Sequence, residues 1–141
     1  MSEKEEKLPG KVMTIGTLMT ISGILIIMSV ISSIAVLLVL AAVFSVTVVL
    51  TWLGIILFVV AIPYLFILAG GIVDLIFGIR ILTGKAPKSL PIWSPIMEII
   101  FGIYLISGGI GIIVLGIGIA NLILLLQDDA RMYFYKRSDW D

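Results

Sequence analysis

The chain of 141 residues contains neither cysteine nor histidine, and only 13% of its residues are charged. Without cysteine, disulfides, thiol nucleophiles and cysteine-ligated zinc are excluded. Without histidine, a histidine-based triad, a histidine proton relay and a histidine haem ligand are excluded as well. We therefore expect no catalytic residues, no cofactor and no metal site, and we do not expect an enzyme.

The few charges are balanced, with nine basic and nine acidic residues and a formal net charge of zero. The basic residues are scattered along the chain, so no nucleic-acid partner is expected. Hydrophobic residues make up 61% of the chain and the mean hydropathy is +1.29. A domain this small cannot bury so much apolar surface in its own core. The composition predicts a multi-pass protein of a cell membrane, covered by the lipid bilayer.

Apolar runs set the number of predicted spans. Residues 12–83 form a region of 72 residues whose only charged members are Asp74 and Arg80. A span needs about 20 residues, and two helices would each be about 54 Å long, so three spans are favoured here. A second region, 96–126, predicts one more. The fold class is all-α: a four-helix antiparallel transmembrane bundle over residues 12–126, with three spans in total as the alternative.

Residues that often lie at helix ends mark the predicted boundaries of these spans. Ser32-Ser33 and Pro63 are the best markers, because proline suits the first turn of a helix. The predicted spans are about 12–31, 34–60, 63–83 and 96–126, with a loop rich in proline and lysine at 84–95. Trp52 falls inside the second span although tryptophan prefers an interface. This leaves open a later first turn, near residues 41–45.

The two ends of the chain are polar. Residues 1–11 alternate Glu and Lys and predict a solvated tail. Residues 127–141 mix charges with aromatic rings and predict a segment lying at the membrane surface. Six basic residues lie in the tails and three in or near the loop, so both termini are expected to be cytoplasmic.

Glycine recurs every seven residues, as in Gly16/Gly23, Gly71/Gly78, Gly102/Gly109/Gly116 and Gly111/Gly118. Membrane helices associate largely by close packing, which small residues permit. The pattern predicts tight helix contacts, within the monomer, in a homo-oligomer or with another membrane protein. The residues chosen as packing positions are Gly70, Gly78, Gly102, Gly109, Gly116 and Ala120.

A repeat carries the two acids of the apolar regions. Asp74–Gly84 is echoed 24 residues later by Glu98–Gly108, with the Ile-Phe-Gly-Ile core of the repeat identical. Asp74 is predicted to lie near the bilayer midplane, about ten residues from either end of its span. A carboxyl group there suggests an ion site or a partnered polar contact. Asn121 is also expected to seek a polar partner.

Depth matching across the loop predicts two specific contacts. If the hairpin turns near residue 89 or 90, Arg80 faces Glu98 or Ile99, and Asp74 comes level with Tyr104 or Leu105. We therefore expect an Arg80–Glu98 ion pair and an Asp74–Tyr104 hydrogen bond. These four residues form the candidate intramembrane polar or ion site.

Taken together, the repeated Gly-Ile-x-x-x-x-Gly pattern, the single loop of proline and lysine, and the tail beginning at Asp128-Asp-Ala-Arg-Met-Tyr-Phe134 resemble small four-span bacterial or archaeal integral membrane proteins. The resemblance implies no activity. The expected function is a non-enzymatic helix-packing interaction or accessory subunit. The alternative is a small proton or cation channel or transporter that uses Asp74.

Overall fold

The computed structural model describes residues 8–46, 51–85 and 91–138, and all regular structure in these ranges is helical. Two helices are long and apolar enough to cross a membrane, and a third span exists only if the last two helices, bent by 74°, count as one. The all-α class is confirmed, and the four-span bundle is not. The helices are α1 (Gly10–Ser45), α2 (Thr51–Leu82), α3 (Trp93–Tyr104), α4 (Ile110–Leu125) and α5 (Asp128–Ser138).

The predicted turn at Ser32-Ser33 is wrong, because α1 continues through both serines. The Ser33 hydroxyl donates to the carbonyl of Ser29 at 2.9 Å, one turn back in the same helix. A serine that bonds to its own helix in this way does not break it. Helix α1 ends at Ser45, next to the later turn that Trp52 suggested.

The predicted boundary before Pro63 is also wrong, because this proline lies inside α2. The second and third predicted spans therefore share one helix of 32 residues, about 48 Å long. Helix α1 has 36 residues, about 54 Å. Two long helices replace the three spans predicted for residues 12–83.

The last predicted span, 96–126, is two helices. After α3 the chain forms a 3₁₀ turn at Ile106–Gly108, and Gly109 has φ +77°, a conformation that side chains with a Cβ rarely adopt. Helix α4 then runs back along α3, with Gly102 opposite Leu115 and Gly118 opposite Ile99. Helices α3 and α4 are about 18 and 24 Å long.

Two apolar clusters join the helices. One lies at the start of α1 and the end of α2 and includes Leu125 and Phe134; the other surrounds the tip of the α3–α4 hairpin and includes Val30 and Phe101. The segment after residue 127, which was predicted to lie at the membrane surface, forms helix α5. Phe134 of this helix is buried. Predictions for residues 1–7, 47–50, 86–90 and 139–141 lie outside the described residues.

Candidate functional site

One cluster contains every buried polar or charged residue of the described chain. Its members have between 0 and 1% of their surface exposed, and all four of the helices α1 to α4 contribute: Ser22, Asp74, Ser94, Glu98 and Asn121. We call these five residues the polar cluster. Such concentration in an otherwise apolar molecule makes the cluster the candidate functional site, because buried polar groups are costly unless they are paired.

Hydrogen bonds connect the helices through this cluster. The Ser94 hydroxyl of α3 donates to Asp74 Oδ1 of α2 at 2.5 Å. The Asn121 amide of α4 donates to both carboxylate oxygens of Glu98, at 3.3 and 3.0 Å. Bonds of this kind to an acid are stronger than bonds between neutral groups. They link α2 to α3 and α3 to α4.

Close backbone contact brings α1 to the cluster. Gly23 follows Ser22, and a methyl group on Gly23 would lie 2.6 Å from the Leu75 nitrogen and 2.7 Å from the Gly71 carbonyl oxygen. Only a residue without a side chain fits there. The α1 and α2 backbones therefore touch at the level of Asp74, and Ser22 is placed beside the acids.

Aromatic contact and a glycine position α3 in a similar way. Trp93, the first residue of α3, packs edge-on against Phe77 of α2 with ring centroids 5.3 Å apart. Ser94 follows it and reaches Asp74. At Gly118, an added methyl would lie 2.9 Å from Glu98 Cβ, so α4 approaches closely enough for Asn121, almost one turn later, to bond Glu98.

Some oxygens of the cluster have no protein partner. Ser22 Oγ, Asp74 Oδ2 and Asn121 Oδ1 are buried without a hydrogen bond, and no other buried side-chain nitrogen or oxygen in the described ranges is in this state. The carboxyl groups of Asp74 and Glu98 approach each other, and the Ser22 hydroxyl approaches Glu98, without a bond of good geometry. The two acids thus share one enclosed space.

No basic side chain in the described residues neutralises these acids. The single ion pair there joins Lys11 to Asp129 at 2.8 Å, and both of its side chains are substantially exposed. Arg80 is exposed, with its guanidinium carbon 6.0 Å from the centre of the Phe77 ring. The predicted Arg80–Glu98 ion pair is therefore wrong.

The predicted Asp74–Tyr104 hydrogen bond is wrong as well. Asp74 is bonded to Ser94, whereas Tyr104 packs edge-on against Tyr64, with ring centroids 5.5 Å apart. The reason is the register of α2 against α3. Phe77 meets Trp93 and Asp74 meets Ser94, whereas the prediction required Asp74 to be level with Tyr104.

Asp74 also lies at a different position along its helix from the one expected. Because α2 begins at Thr51, Asp74 is 23 residues from the start of its helix and eight from the end, at Leu82. The prediction of a mid-span acid assumed a helix starting near Pro63. The acid belongs to the final third of a longer helix.

The predicted packing glycines fall into two groups. An added methyl group would overlap the Phe101 ring at Gly70, and would lie 2.6 Å from the Thr20 nitrogen at Gly78 and 2.6 Å from the Leu115 nitrogen at Gly102. These three glycines therefore make close helix contacts. Gly109 does not, since it forms the turn between α3 and α4.

Gly116 has nothing within 4 Å of an added methyl and is exposed, and Ala120 is partly buried on the same helix. The seven-residue series through Gly102, Gly109 and Gly116 crosses the chain reversal. Its members therefore cannot share one helix face. The close helix contact predicted for Gly116 is not formed within the described residues of this chain.

Two shallow apolar grooves lie away from the polar cluster. The first, of about 250 Å³, lies between α2 and α3 and is lined by Pro63, Phe66, Phe101 and Tyr104 among others. The second, of about 370 Å³, lies between α1 and α2 near their connection and is lined by Leu38, Gly54 and Phe58 among others. Neither groove reaches Asp74 or Glu98.

Comparisons with protein families, curated proteins and solved structures found no match for this chain. Within the described ranges there is also no group of three or more acidic, histidine or cysteine side chains arranged to hold a metal ion.

Sequence reasoning found Asp74, Glu98 and Asn121 but missed Ser22 and Ser94. The repeat was the useful signal, because Asp74 and Glu98 occupy equivalent positions in it and both end in the cluster. Serine is common in apolar helices and bonds to its own backbone there, as Ser33 does. Nothing local distinguished Ser22 and Ser94 from such residues.

Proposed function

We propose that this chain is an integral membrane protein without catalytic activity, which acts as a helix-packing interaction or accessory subunit. The polar cluster carries the proposal. Its acids are sealed between four helices and bonded to serine and asparagine, an arrangement that suits a structural joint between helix pairs better than a catalytic or transport site.

The proposed topology follows from helix lengths. Helices α1 and α2 exceed the bilayer core of about 30 Å, whereas α3 and α4 fall short of it. We propose that α1 and α2 cross the membrane, and that the α3–α4 hairpin enters and leaves on the side where α1 begins. In this arrangement Trp52 lies at the far interface, and Asp74, about 35 Å along α2, lies close to the near one.

Charge supports a cytoplasmic location for that near side. Every lysine and arginine of the chain precedes Val12 or follows Ile79. Among the described basic residues, Lys11 lies in the first turn of α1 and Arg131 lies in the first turn of α5. The Lys11–Asp129 ion pair joins these two helix ends. The connection between α1 and α2 carries none. The positive-inside tendency then puts both termini in the cytoplasm.

The absence of cysteine makes this topology directly testable. Single cysteines at Val46, Ile106 and Met132, all exposed in the structure, would be labelled in sealed vesicles with a thiol reagent that does not cross membranes. We expect Val46→Cys and Met132→Cys to react from opposite sides and Ile106→Cys, at the hairpin tip, to react from neither. Reaction of Ile106→Cys from the side that labels Val46→Cys would instead mean that the hairpin crosses the membrane.

Association with a second copy or another membrane protein is proposed through the uncovered small-residue face of α4. Gly116 is exposed and touches nothing in its own chain, while Ala120 lies one turn further on. Such a face allows another helix to approach closely. Gly116→Leu should leave the monomer folded and reduce association measured in lipid nanodiscs. Unchanged association would assign the contact to another surface.

One observation favours the second candidate, a small proton or cation channel or transporter that uses Asp74. Asp74 Oδ2 and Ser22 Oγ are buried without a protein partner. Proton and cation flux into liposomes, measured for the wild type and for Asp74→Asn, separates the two functions. Flux that disappears in the variant would establish transport, and absence of flux in both would leave the accessory role.

A further inference from the structure

We infer that the oxygen atoms of the polar cluster form a binding site for a small monovalent cation such as Na⁺, held where α1, α2, α3 and α4 meet. This goes beyond the accessory role, and it requires binding only, not movement of the ion across the membrane.

The charge of the polar cluster favours a bound cation. Asp74 and Glu98 are 1% and 0% exposed, their carboxyl groups approach each other, and no described lysine or arginine contacts them. Two ionised carboxylates in one apolar enclosure repel each other and have lost their water, which is very unfavourable. A bound monovalent cation offsets the repulsion, and a proton kept by one of the two acids brings the net charge of the cluster to zero.

The polar cluster also supplies oxygen atoms that could bind a cation. Three oxygens of the cluster, Ser22 Oγ, Asp74 Oδ2 and Asn121 Oδ1, are buried without a hydrogen bond. In folded proteins nearly all such atoms are satisfied, so each exception needs a partner. The Ser22 hydroxyl and the Asp74 carboxyl group both lie near the Glu98 carboxyl group, so a hydroxyl and two carboxyl groups are close together in the cluster.

The number of free oxygens bears on the class of cation. Ca²⁺ takes six to eight oxygen ligands, whereas only three side-chain oxygens of the cluster lack a hydrogen bond, and Mg²⁺ retains several waters in a near-octahedral shell. The cluster is fully buried, and neither apolar groove reaches it. A small monovalent ion with few ligands and no retained water suits this enclosure better than either divalent ion.

The ion would act as a joint between two helix pairs. Hydrogen bonds already link α2 to α3 and α3 to α4, whereas Ser22 on α1 has no such bond. An ion bound by Ser22 together with the two acids would connect α1 directly to α3. Cation binding is then expected to stabilise the fold, because a ligand that binds only the folded state raises its stability.

Thermal unfolding of the purified protein in detergent tests the inference. The melting temperature Tm would be measured in NaCl, KCl, CaCl₂, MgCl₂ and choline chloride at matched ionic strength and at two pH values. We expect Tm to rise with NaCl concentration above its value in choline chloride, with smaller effects of CaCl₂ and MgCl₂. Isothermal titration of the wild type with Na⁺ should show saturable binding.

Variants locate the site. Glu98→Gln should abolish the Na⁺-dependent rise in Tm, and Ser22→Ala, which removes one neutral ligand, should weaken Na⁺ binding while the protein still folds. Asp129→Asn is the matched control, because it removes an acid from the exposed ion pair and should leave the Na⁺ dependence unchanged.

Two results would overturn the inference. One is a Tm that is the same in sodium and choline salts and changes only with pH, since a proton shared by the acids would then supply the positive charge. The other is a Na⁺ dependence that Asp129→Asn removes and Ser22→Ala retains. Because these readouts need neither flux nor a partner, they stand apart from the tests of the accessory role.

Discussion

Two Gly-Gly pairs in similar apolar stretches have opposite structural roles. Gly70-Gly71 lies inside α2, and the helix continues without interruption. Gly108-Gly109 lies where α3 and α4 separate, and Gly109 has φ +77°. The contacts of the two pairs explain the difference.

A methyl group on Gly70 would meet the Phe101 ring and one on Gly71 would meet Ile26, so neighbouring helices occupy both sides of the first pair. Around Gly108 and Gly109 nothing lies within 4 Å of such a methyl. Glycine inside α2 thus makes room for other helices, whereas glycine at the hairpin tip permits a reversal. The same dipeptide has either role according to what packs against it.

The largest predicted effect comes from filling the space at the first pair. In Gly71→Leu the new side chain would start 2.7 Å from Ile26 Cγ2 and 3.3 Å from the Gly23 carbonyl oxygen, so α1 and α2 would have to separate. Overpacking typically costs about 1–3 kcal/mol, and more where backbones touch. We expect a loss of about 3 kcal/mol or more in the free energy of unfolding, measured by denaturant titration in detergent. A stable Gly71→Leu protein would show that the α1–α2 contact is not tight.

The second prediction concerns the turn at Gly109, where a substitution adds backbone strain without a clash with any neighbouring atom. Gly109→Ala would place a Cβ at φ +77°, which costs about 1–3 kcal/mol. The free energy of unfolding should fall by that amount although no atom is in the way. Equal stability of Gly109→Ala and wild type would mean that the reversal does not depend on this conformation.

The third prediction concerns the Ser94–Asp74 hydrogen bond, which links the α3–α4 hairpin to the long helix α2. Ser94→Ala removes the donor to Asp74 Oδ1 and leaves a buried acid less satisfied, at a cost of about 1–3 kcal/mol. Ser33→Ala is the matched control, since its hydroxyl bonds only to its own helix. We expect a clear fall in Tm for the first variant and little change for the second. Similar values for both would remove Asp74–Ser94 from the structural joint.

The smallest effect is expected at Gly108, next to the strained position. Gly108→Ala adds a methyl with open space around it and without a positive φ, so the change in stability should stay within about 0.5 kcal/mol. Comparison of Gly108→Ala with Gly109→Ala separates the effect of backbone strain on stability from the effect of the added methyl group. A large effect at Gly108 would show that the tip contacts something beyond this chain.

Prediction from sequence succeeded where the signal was periodic or compositional. The seven-residue spacing of Gly16/Gly23 and Gly71/Gly78 corresponds to a real contact, because both pairs lie between α1 and α2. It failed at boundaries. Ser32-Ser33 and Pro63 are helix-breaking signals in water, yet both lie inside helices here. In an apolar segment the backbone has no water to bond to, so helices continue through weak breakers.

The site could be predicted in part, again where composition and a repeat gave a signal. Asp74 and Glu98 stood out as acids in apolar runs, and the repeat related them. Their partners depend on the register of α2 against α3, in which Asp74 meets Ser94 instead of Tyr104. A shift of this register by a few residues changes every contact between α2 and α3.

By itself, the sequence determined that the chain is helical, apolar and closely packed through glycine, since composition and period act locally on every segment. It also excluded histidine and cysteine chemistry outright. Only the tertiary structure decided that residues 10–45 form one helix, that the run 96–126 folds back on itself, and that two acids share a buried cluster with Ser22, Ser94 and Asn121. These outcomes depend on which helix faces meet, and in a nearly uniform apolar chain that is set by contacts between distant residues.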